Sequence, residues 1–83
     1  MGYHIKEIPK GTYGDFSKIR EEFLEAEDAY AQANPIMLFV ELADLVGAIE
    51  AFVESHNLSL ADVLRMKDAT KRAFEDGTRK PQS

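Results

Sequence analysis

Residues 36–53 constrain the fold of this chain most, because they are predicted to form a helix that is apolar on every side. The polar positions within this segment are Glu41, Asp44 and Glu50, together with Gly47. A helix that is apolar all round must also be buried all round. A membrane span is unfavourable, because each carboxylate near its middle would cost about 2.5–3.5 kcal/mol on insertion scales. Two companion helices cannot cover such a helix, so we expect a second copy of the chain to cover it in an oligomeric helical bundle.

The remainder of the chain favours an all-α fold with a three-helix antiparallel subunit. Apolar residues recur at helical spacing, which predicts helices over residues 15–33, 36–56 and 59–76. Helix start signals precede or open these segments, at Asp15 or Ser17, at Pro35, and at Ser59 with Asp62. We predict a single domain over residues 1–83, with a short loop or extended segment at 1–14 and a flexible tail at 77–83.

Composition excludes several classes of protein. The chain has 83 residues and no cysteine, which removes disulfides and thiolate metal sites but leaves oxygen-ligated metals and self-association as sources of stability. The absence of cysteine is typical of cytoplasmic proteins, and residues 1–14 lack the apolar core of a signal peptide. The formal net charge of −5 argues against a broad nucleic-acid-binding face.

The charges are segregated along the chain. Residues 15–64 carry eleven acidic residues and two basic ones, whereas residues 65–83 carry six basic residues and three acidic ones. This separation indicates a local acidic site, with basic residues supplied from the third helix.

Two carboxylate pairs form the candidate site. Glu41 and Asp44 are three residues apart on the second helix, and Glu22 and Glu25 repeat this spacing on the first, with Lys18 on the same face. Antiparallel packing would bring both pairs together into an all-oxygen site suited to Mg²⁺ or Mn²⁺. The alternative interpretation is that each pair simply marks a solvated face of its helix.

Two lysines of the third helix are candidate phosphate ligands. Lys67 falls within the apolar stripe of that helix and Lys71 lies at its edge, whereas Arg65 and Arg72 point away. If the two lysines faced the carboxylates across a bound metal ion, the arrangement would suit phosphoryl chemistry. Alternatively, they extend from the core side to its rim and contact only water.

The sequence Glu21-Glu22-Phe23-Leu24-Glu25, followed after fifteen residues by Glu41-Leu42-Ala43-Asp44, has the pattern E-E-x-x-E…E-x-x-D. It resembles the MazG-like all-α nucleoside triphosphate pyrophosphohydrolases, and the similarity covers about residues 11–79. The segments Gly14-Asp15-Phe16-Ser17-Lys18-Ile19 and Lys67…Thr70-Lys71-Arg72-Ala73-Phe74 also resemble small MazG-like proteins, many of them encoded by phages.

The resemblance implies a role for each of these residues. The Mg²⁺ ligands would be Glu22, Glu25, Glu41 and Asp44. Glu21 would be a supporting acid, and the triphosphate would be held by Lys18, Lys67 and Lys71. A metal-activated water would attack the α-phosphorus and release a nucleoside monophosphate and pyrophosphate, in the cytoplasm of the cell or of a phage-infected host. Members of the family form dimers or tetramers.

One departure from the family concerns the base pocket. Family members usually have a further C-terminal helix or extension, so here we expect another subunit or the N-terminal segment to complete the pocket, or the pocket to be incomplete. Tyr3, His4 and Tyr13 are candidates for base stacking or for ordinary packing, and neither His4 nor His56 is assigned a catalytic role. The alternative function is a non-catalytic helical oligomer that binds nucleotide or metal, and a purely structural helical protein is a third hypothesis.

Overall fold

The protein folds into three helices and, over the residues described, contains no strand. The computed structural model describes residues 6–76, in which α1 spans Phe16–Ala31, α2 spans Pro35–Glu54 and α3 spans Leu60–Asp76. The predicted all-α class and the three predicted helices are confirmed, each within a few residues of its expected ends. The predicted tail at 77–83, Tyr3, His4 and the side chain of Phe74 lie outside the described residues.

Polar side chains at the helix starts explain where the helices begin. Asp15 caps α1, its carboxylate accepting a hydrogen bond from the Ser17 backbone N–H at 3.0 Å. Asn34 caps α2 through the Met37 backbone N–H at 3.2 Å. At the start of α3 the Ser59 hydroxyl accepts from the Asp62 backbone N–H at 3.1 Å, while the Asp62 carboxylate accepts from the Ser59 backbone N–H at 2.9 Å. This reciprocal pair is a capping box in which Asp takes the usual place of Glu.

Helices α1 and α2 form an antiparallel pair. The first residue of α1, Phe16, packs edge-on against Phe52 near the end of α2, with ring centroids 5.7 Å apart. The Ser55 hydroxyl after α2 donates to the Gly14 carbonyl before α1 at 3.2 Å. The connection between the helices is short and turns at Ala33, whose φ of 56° lies in the left-handed region.

Helix α3 lies apart from this pair. It approaches α2, but no Cα atom of α3 lies within 8 Å of a Cα atom of α1. The Cα radius of gyration is 15.0 Å, whereas a compact domain of this length would have roughly 12 Å. The single chain is therefore an open arrangement of helices and not a closed three-helix bundle.

The core of one chain contains hardly any apolar volume. Its buried apolar residues in the described range are four alanines, Ala26, Ala29, Ala48 and Ala51, and its largest fully buried side chain is Glu41. Large apolar side chains stand exposed instead, among them Phe16, Phe23, Ile36, Phe39, Val46 and Met66. The small buried alanines allow α1 and α2 to pack closely, but the large apolar side chains named above stay exposed in a single chain.

Helix α2 shows this exposure most clearly. The side chains of Phe39, Leu42 and Val46 on its outer face are all exposed. No helix in the described part of the chain combines the length and the apolarity that crossing a bilayer requires. The sequence predicts that α2 is buried on all sides, but within a single chain only the side that faces α1 is buried.

The capping box of α3 gives a first test of the fold. Ser59→Ala removes the acceptor for the Asp62 backbone N–H and should lower the free energy of unfolding by about 1 kcal/mol. Ser59→Thr retains the hydroxyl and should stay near the wild-type value in the same urea titration. Equal stability of the two variants would show that the Ser59 hydroxyl does not stabilise the start of α3.

Candidate metal centre

Five carboxylates gather where α1 packs against α2, and we call them the acidic cluster: Glu21, Glu22, Glu25, Glu41 and Asp44. One oxygen from each of Glu22, Glu41 and Asp44 can be chosen so that all three lie within 4.8 Å of one another. The same holds for Glu21, Glu22 and Glu25. Glu22 belongs to both groups and joins the carboxylates of the two helices. The helical spacing of three residues and the antiparallel pairing together account for this convergence.

The cluster is deeply placed for a set of carboxylates. Glu41 is 0% exposed, Glu21 and Glu22 are also buried, Glu25 is half-buried and Asp44 is exposed. Removing a carboxylate from water is costly unless charge or hydrogen bonds compensate. The Oε1 atom of Glu22 is buried and accepts no hydrogen bond. This oxygen therefore keeps a lone pair available to a cation.

Lys18 supplies the main positive charge at the cluster. Its ammonium lies 3.0 Å from Glu21 Oε1 and 3.1 Å from Glu22 Oε2. Hydrogen bonds to Glu21 and Glu22 raise the pKa of Lys18, so that it is firmly charged. The structure thus brings Lys18 to the predicted site, where it pairs with carboxylates of its own chain.

A loop before α1 secures Glu21. Burial alone would raise the pKa of Glu21, but the hydrogen bond from the Gly11 backbone N–H and the contact with Lys18 hold it below its usual range. The Gly11 N–H lies 2.9 Å from Glu21 Oε1. A Cβ atom at Gly11 would lie 2.3 Å from the Ser17 carbonyl oxygen, so only glycine allows the loop to approach this closely.

Glu25 has a raised pKa because of its burial and its neighbours in the cluster. Burial, the charge of Glu22 and hydrogen bonds with Glu41 and Glu22 raise the pKa of Glu25 to about 8. At neutral pH its carboxyl group is mostly protonated and can donate a hydrogen bond to a neighbouring carboxylate. Binding of a divalent cation requires the carboxylate form, so this proton must leave when a cation enters.

The two lysines of α3 are not brought to the acidic cluster within one chain. Lys67 is exposed and forms an ion pair with the neighbouring Asp68 at 2.7 Å. Lys67 and Lys71 line a separate surface hollow with Thr70 and Glu75. The sequence pattern places Lys67 on the core side of α3, but α3 approaches only α2 in the single chain, and Lys67 is exposed.

A hollow of about 240 Å³ lies beside the acidic cluster, and we call it the cluster hollow. Its charged walls are Lys18, Glu22 and Asp44, and Tyr13 borders it from the loop before α1. Small residues of α2 complete the lining. A ligand can therefore reach Glu22 and Asp44 from this side.

Comparison with protein-family models, with curated proteins and with solved structures gives no match for this chain. The resemblance to the MazG-like family therefore depends on the carboxylate pattern and the two flanking segments of the sequence, and it stays a prediction.

Proton release should accompany metal binding. Because Glu25 holds its proton with a pKa of about 8, Mg²⁺ binding at pH 7 should release close to one proton per ion, and the apparent affinity should rise as the pH approaches 8. Calorimetry in two buffers of different ionisation enthalpy measures the number released. Glu25→Gln should abolish the release, and an unchanged value in that variant would contradict the assignment.

The same proton links stability to pH in the absence of metal. The pKa of Glu25 is raised in the folded state from 4.5 to about 8, so its contribution to stability is complete below pH 4.5 and is lost as the pH rises through 8. Without added cations, the melting temperature should fall over this interval, and Glu25→Gln should flatten the profile. Addition of Mg²⁺ should restore stability mainly at the alkaline end.

Proposed function

We propose that this protein is a Mg²⁺-dependent nucleoside triphosphate pyrophosphohydrolase, which converts a nucleoside or deoxynucleoside triphosphate to the monophosphate and pyrophosphate. The observation that carries the proposal is the buried Oε1 atom of Glu22, which accepts no hydrogen bond and belongs to the residue that the two carboxylate groups share. A divalent cation would satisfy this oxygen and relieve the repulsion among its neighbours.

In this proposal the residues of the cluster have different roles. The cation would be held by Glu22, Glu25, Glu41 and Asp44, whose oxygen donors suit Mg²⁺, with Mn²⁺ as a second candidate. When bound, Mg²⁺ supplies Lewis acidity for phosphate oxygens and lowers the pKa of a coordinated water. Glu21 acts as a positioning residue, because it holds the Lys18 ammonium and the Gly11 loop against the cluster. Lys18 offers positive charge to the phosphates at the mouth of the site.

The second candidate function is binding of metal or nucleotide without turnover. The observation that favours it is the position of Lys67 and Lys71, which lie on a hollow of their own and add no charge to the cluster within one chain. In the hydrolase, these two lysines would have to reach the triphosphate from a neighbouring subunit.

The active unit we propose is a homodimer or homotetramer. Phe39, Leu42, Val46, Ile49 and Val53 follow one another on α2 at steps of three and four residues, and we call this row the α2 seam. Such spacing is typical of helices that pair side by side. Phe39 is 67% exposed and Val46 is 48% exposed, while the core of one chain holds only alanines as buried apolar residues among those described. A second copy of α2 offers an equally apolar surface to cover the seam.

The other partners follow from charge and chemistry. A net charge of −5 disfavours a nucleic acid as ligand but allows a single nucleotide chelated to Mg²⁺. The nucleotide substrate and the cysteine-free composition support a cytoplasmic location.

Loss of one buried ligand should stop the reaction. Glu41→Gln replaces a carboxylate by an uncharged amide of the same shape and should lower the rate of pyrophosphate release about 100-fold or more, measured over a panel of nucleotides with Mg²⁺. Glu50→Gln is the matched control, because Glu50 is an exposed residue of the same helix, and it should retain the wild-type rate.

The assay also separates the two candidate functions. Unchanged activity in Glu41→Gln would exclude the acidic cluster as the active site. If the wild-type protein binds Mg²⁺ with nucleotide but yields no pyrophosphate from any of the nucleotides, the non-catalytic function is the correct one.

The α2 seam can be tested with a single cysteine, since the chain has none of its own. Val46 is the middle residue of the seam, and in a symmetric pair centred on the seam it would face its own copy. Val46→Cys should therefore form a disulfide-linked dimer on mild oxidation, detected by non-reducing electrophoresis. Glu27→Cys, at an exposed position of α1, should remain monomeric on the same gel. A monomeric wild-type protein in light scattering would refute the seam as an interface.

A further inference from the structure

Tyr13 occupies an unusual position beside the acidic cluster. Its side chain is 75% exposed, yet it forms a wall of the cluster hollow together with Lys18, Glu22 and Asp44. An aromatic ring that remains this exposed gains little from packing within its own chain. It stands next to Glu22, which is 6% exposed and whose Oε1 atom accepts no hydrogen bond.

Gly47 keeps the floor of the hollow open. This residue lines the hollow from the middle of α2, where glycine is a poor helix former. A Cβ atom at Gly47 would meet no other atom within 4 Å. No close approach of another described element therefore requires glycine here, and the space above its backbone is available to a ligand.

We propose that the cluster hollow binds the nucleobase of the nucleotide, stacked on the ring of Tyr13, while the phosphates face Glu22 and Asp44. This inference rests on the proposed function for the identity of the ligand. Stacking on an aromatic side chain serves every base, because each base has a π-face. Two of the three charged side chains that line the hollow, Lys18 and Glu22, are paired with each other. Among the described residues, no Asn or Gln lines the hollow to read a base edge. The site accordingly accepts purine and pyrimidine nucleotides alike.

The experiment compares a ligand that has a base with one that has none. The probes are deoxynucleoside triphosphate analogues with a non-hydrolysable α–β bridge, one purine and one pyrimidine, and inorganic triphosphate, each titrated with Mg²⁺ by calorimetry. Tyr13→Ala should weaken binding of both analogues about tenfold and leave inorganic triphosphate unchanged. Tyr13→Phe keeps the ring and should bind as the wild type does. Tyr30→Ala removes an equally exposed tyrosine at the other end of α1 and should have no effect.

A second variant fills the hollow without replacing a charged group. Gly47→Leu should weaken binding of the analogues more than that of inorganic triphosphate, because the base has to occupy the filled space, and the improved helix propensity at this position protects the fold. Equal loss for all three probes, or no loss in either variant, would overturn the inference. A change in oligomeric state caused by Tyr13→Ala, seen in light scattering, would identify Tyr13 as a packing residue instead.

The experiments distinguish failure of the stacking site at Tyr13 from failure of the proposed hydrolase activity. Base-dependent binding without pyrophosphate release by the wild type would reject the hydrolase and retain the stacking site. Pyrophosphate release with affinity independent of the base would retain the hydrolase and reject the stacking site. A wild-type protein that binds neither analogue would reject the stacking site as well.

Discussion

The burial of carboxylates between two helices is the constraint on which the rest of this structure depends. Where an ordinary helix pair would place leucine, α1 and α2 place Glu22 and Glu41. Charged groups of this kind remain between helices only when cations and hydrogen-bond donors surround them. The alanines at the contact allow the backbones to come close, and Lys18 and the Gly11 loop supply the donors that the structure provides. The small residues at the helix contact, the charge of Lys18 and the path of the Gly11 loop are thus all needed to keep these carboxylates buried.

This constraint also explains the unusual distribution of apolar residues. Because the interior of the helix pair is acidic, the residues that would normally form a core face outwards along α2 and part of α1. In the proposed oligomer these residues would form a hydrophobic core on association, while the acidic cluster is assembled within each copy. On this proposal the interface and the acidic site would lie on opposite faces of α2, so that either face could be altered while the other is retained.

The local features of the fold were predictable from the sequence. The helices, their caps at Asp15 and Ser59, and the convergence of the two carboxylate pairs follow from spacing and from the short connection between α1 and α2. The roles of Gly11 and Lys18 were harder to predict from the sequence. The hydrogen bond from Gly11 to Glu21 depends on a loop path that no periodicity encodes, and the pairing of Lys18 depends on which carboxylates are buried near it. The sequence signal for this contact is Gly11, a glycine shortly before a helix that carries the consecutive acids Glu21 and Glu22.

The position of α3 could not be deduced from its own pattern. Its apolar stripe predicts that one face is covered, but a stripe does not specify whether the covering helix belongs to the same chain. The raised pKa of Glu25 likewise arises from its own burial and from the carboxylates of Glu22 and Glu41 beside it, which the spacing of residues along the sequence does not quantify. Both features are properties of three-dimensional neighbours and become visible only when the helices are assembled.

The double pairing of Lys18 has a consequence for ion selectivity. Its ammonium is a counter-ion fixed to the polypeptide, within 3.0–3.1 Å of two carboxylates. Dissolved K⁺ or Na⁺ has the same single charge and must compete with a group that cannot diffuse away. A divalent ion brings twice the charge into the same space and offers the carboxylates more than the ammonium does. If the cluster binds a cation as we propose, the tethered ammonium would favour divalent over monovalent ions before any difference in coordination geometry applies.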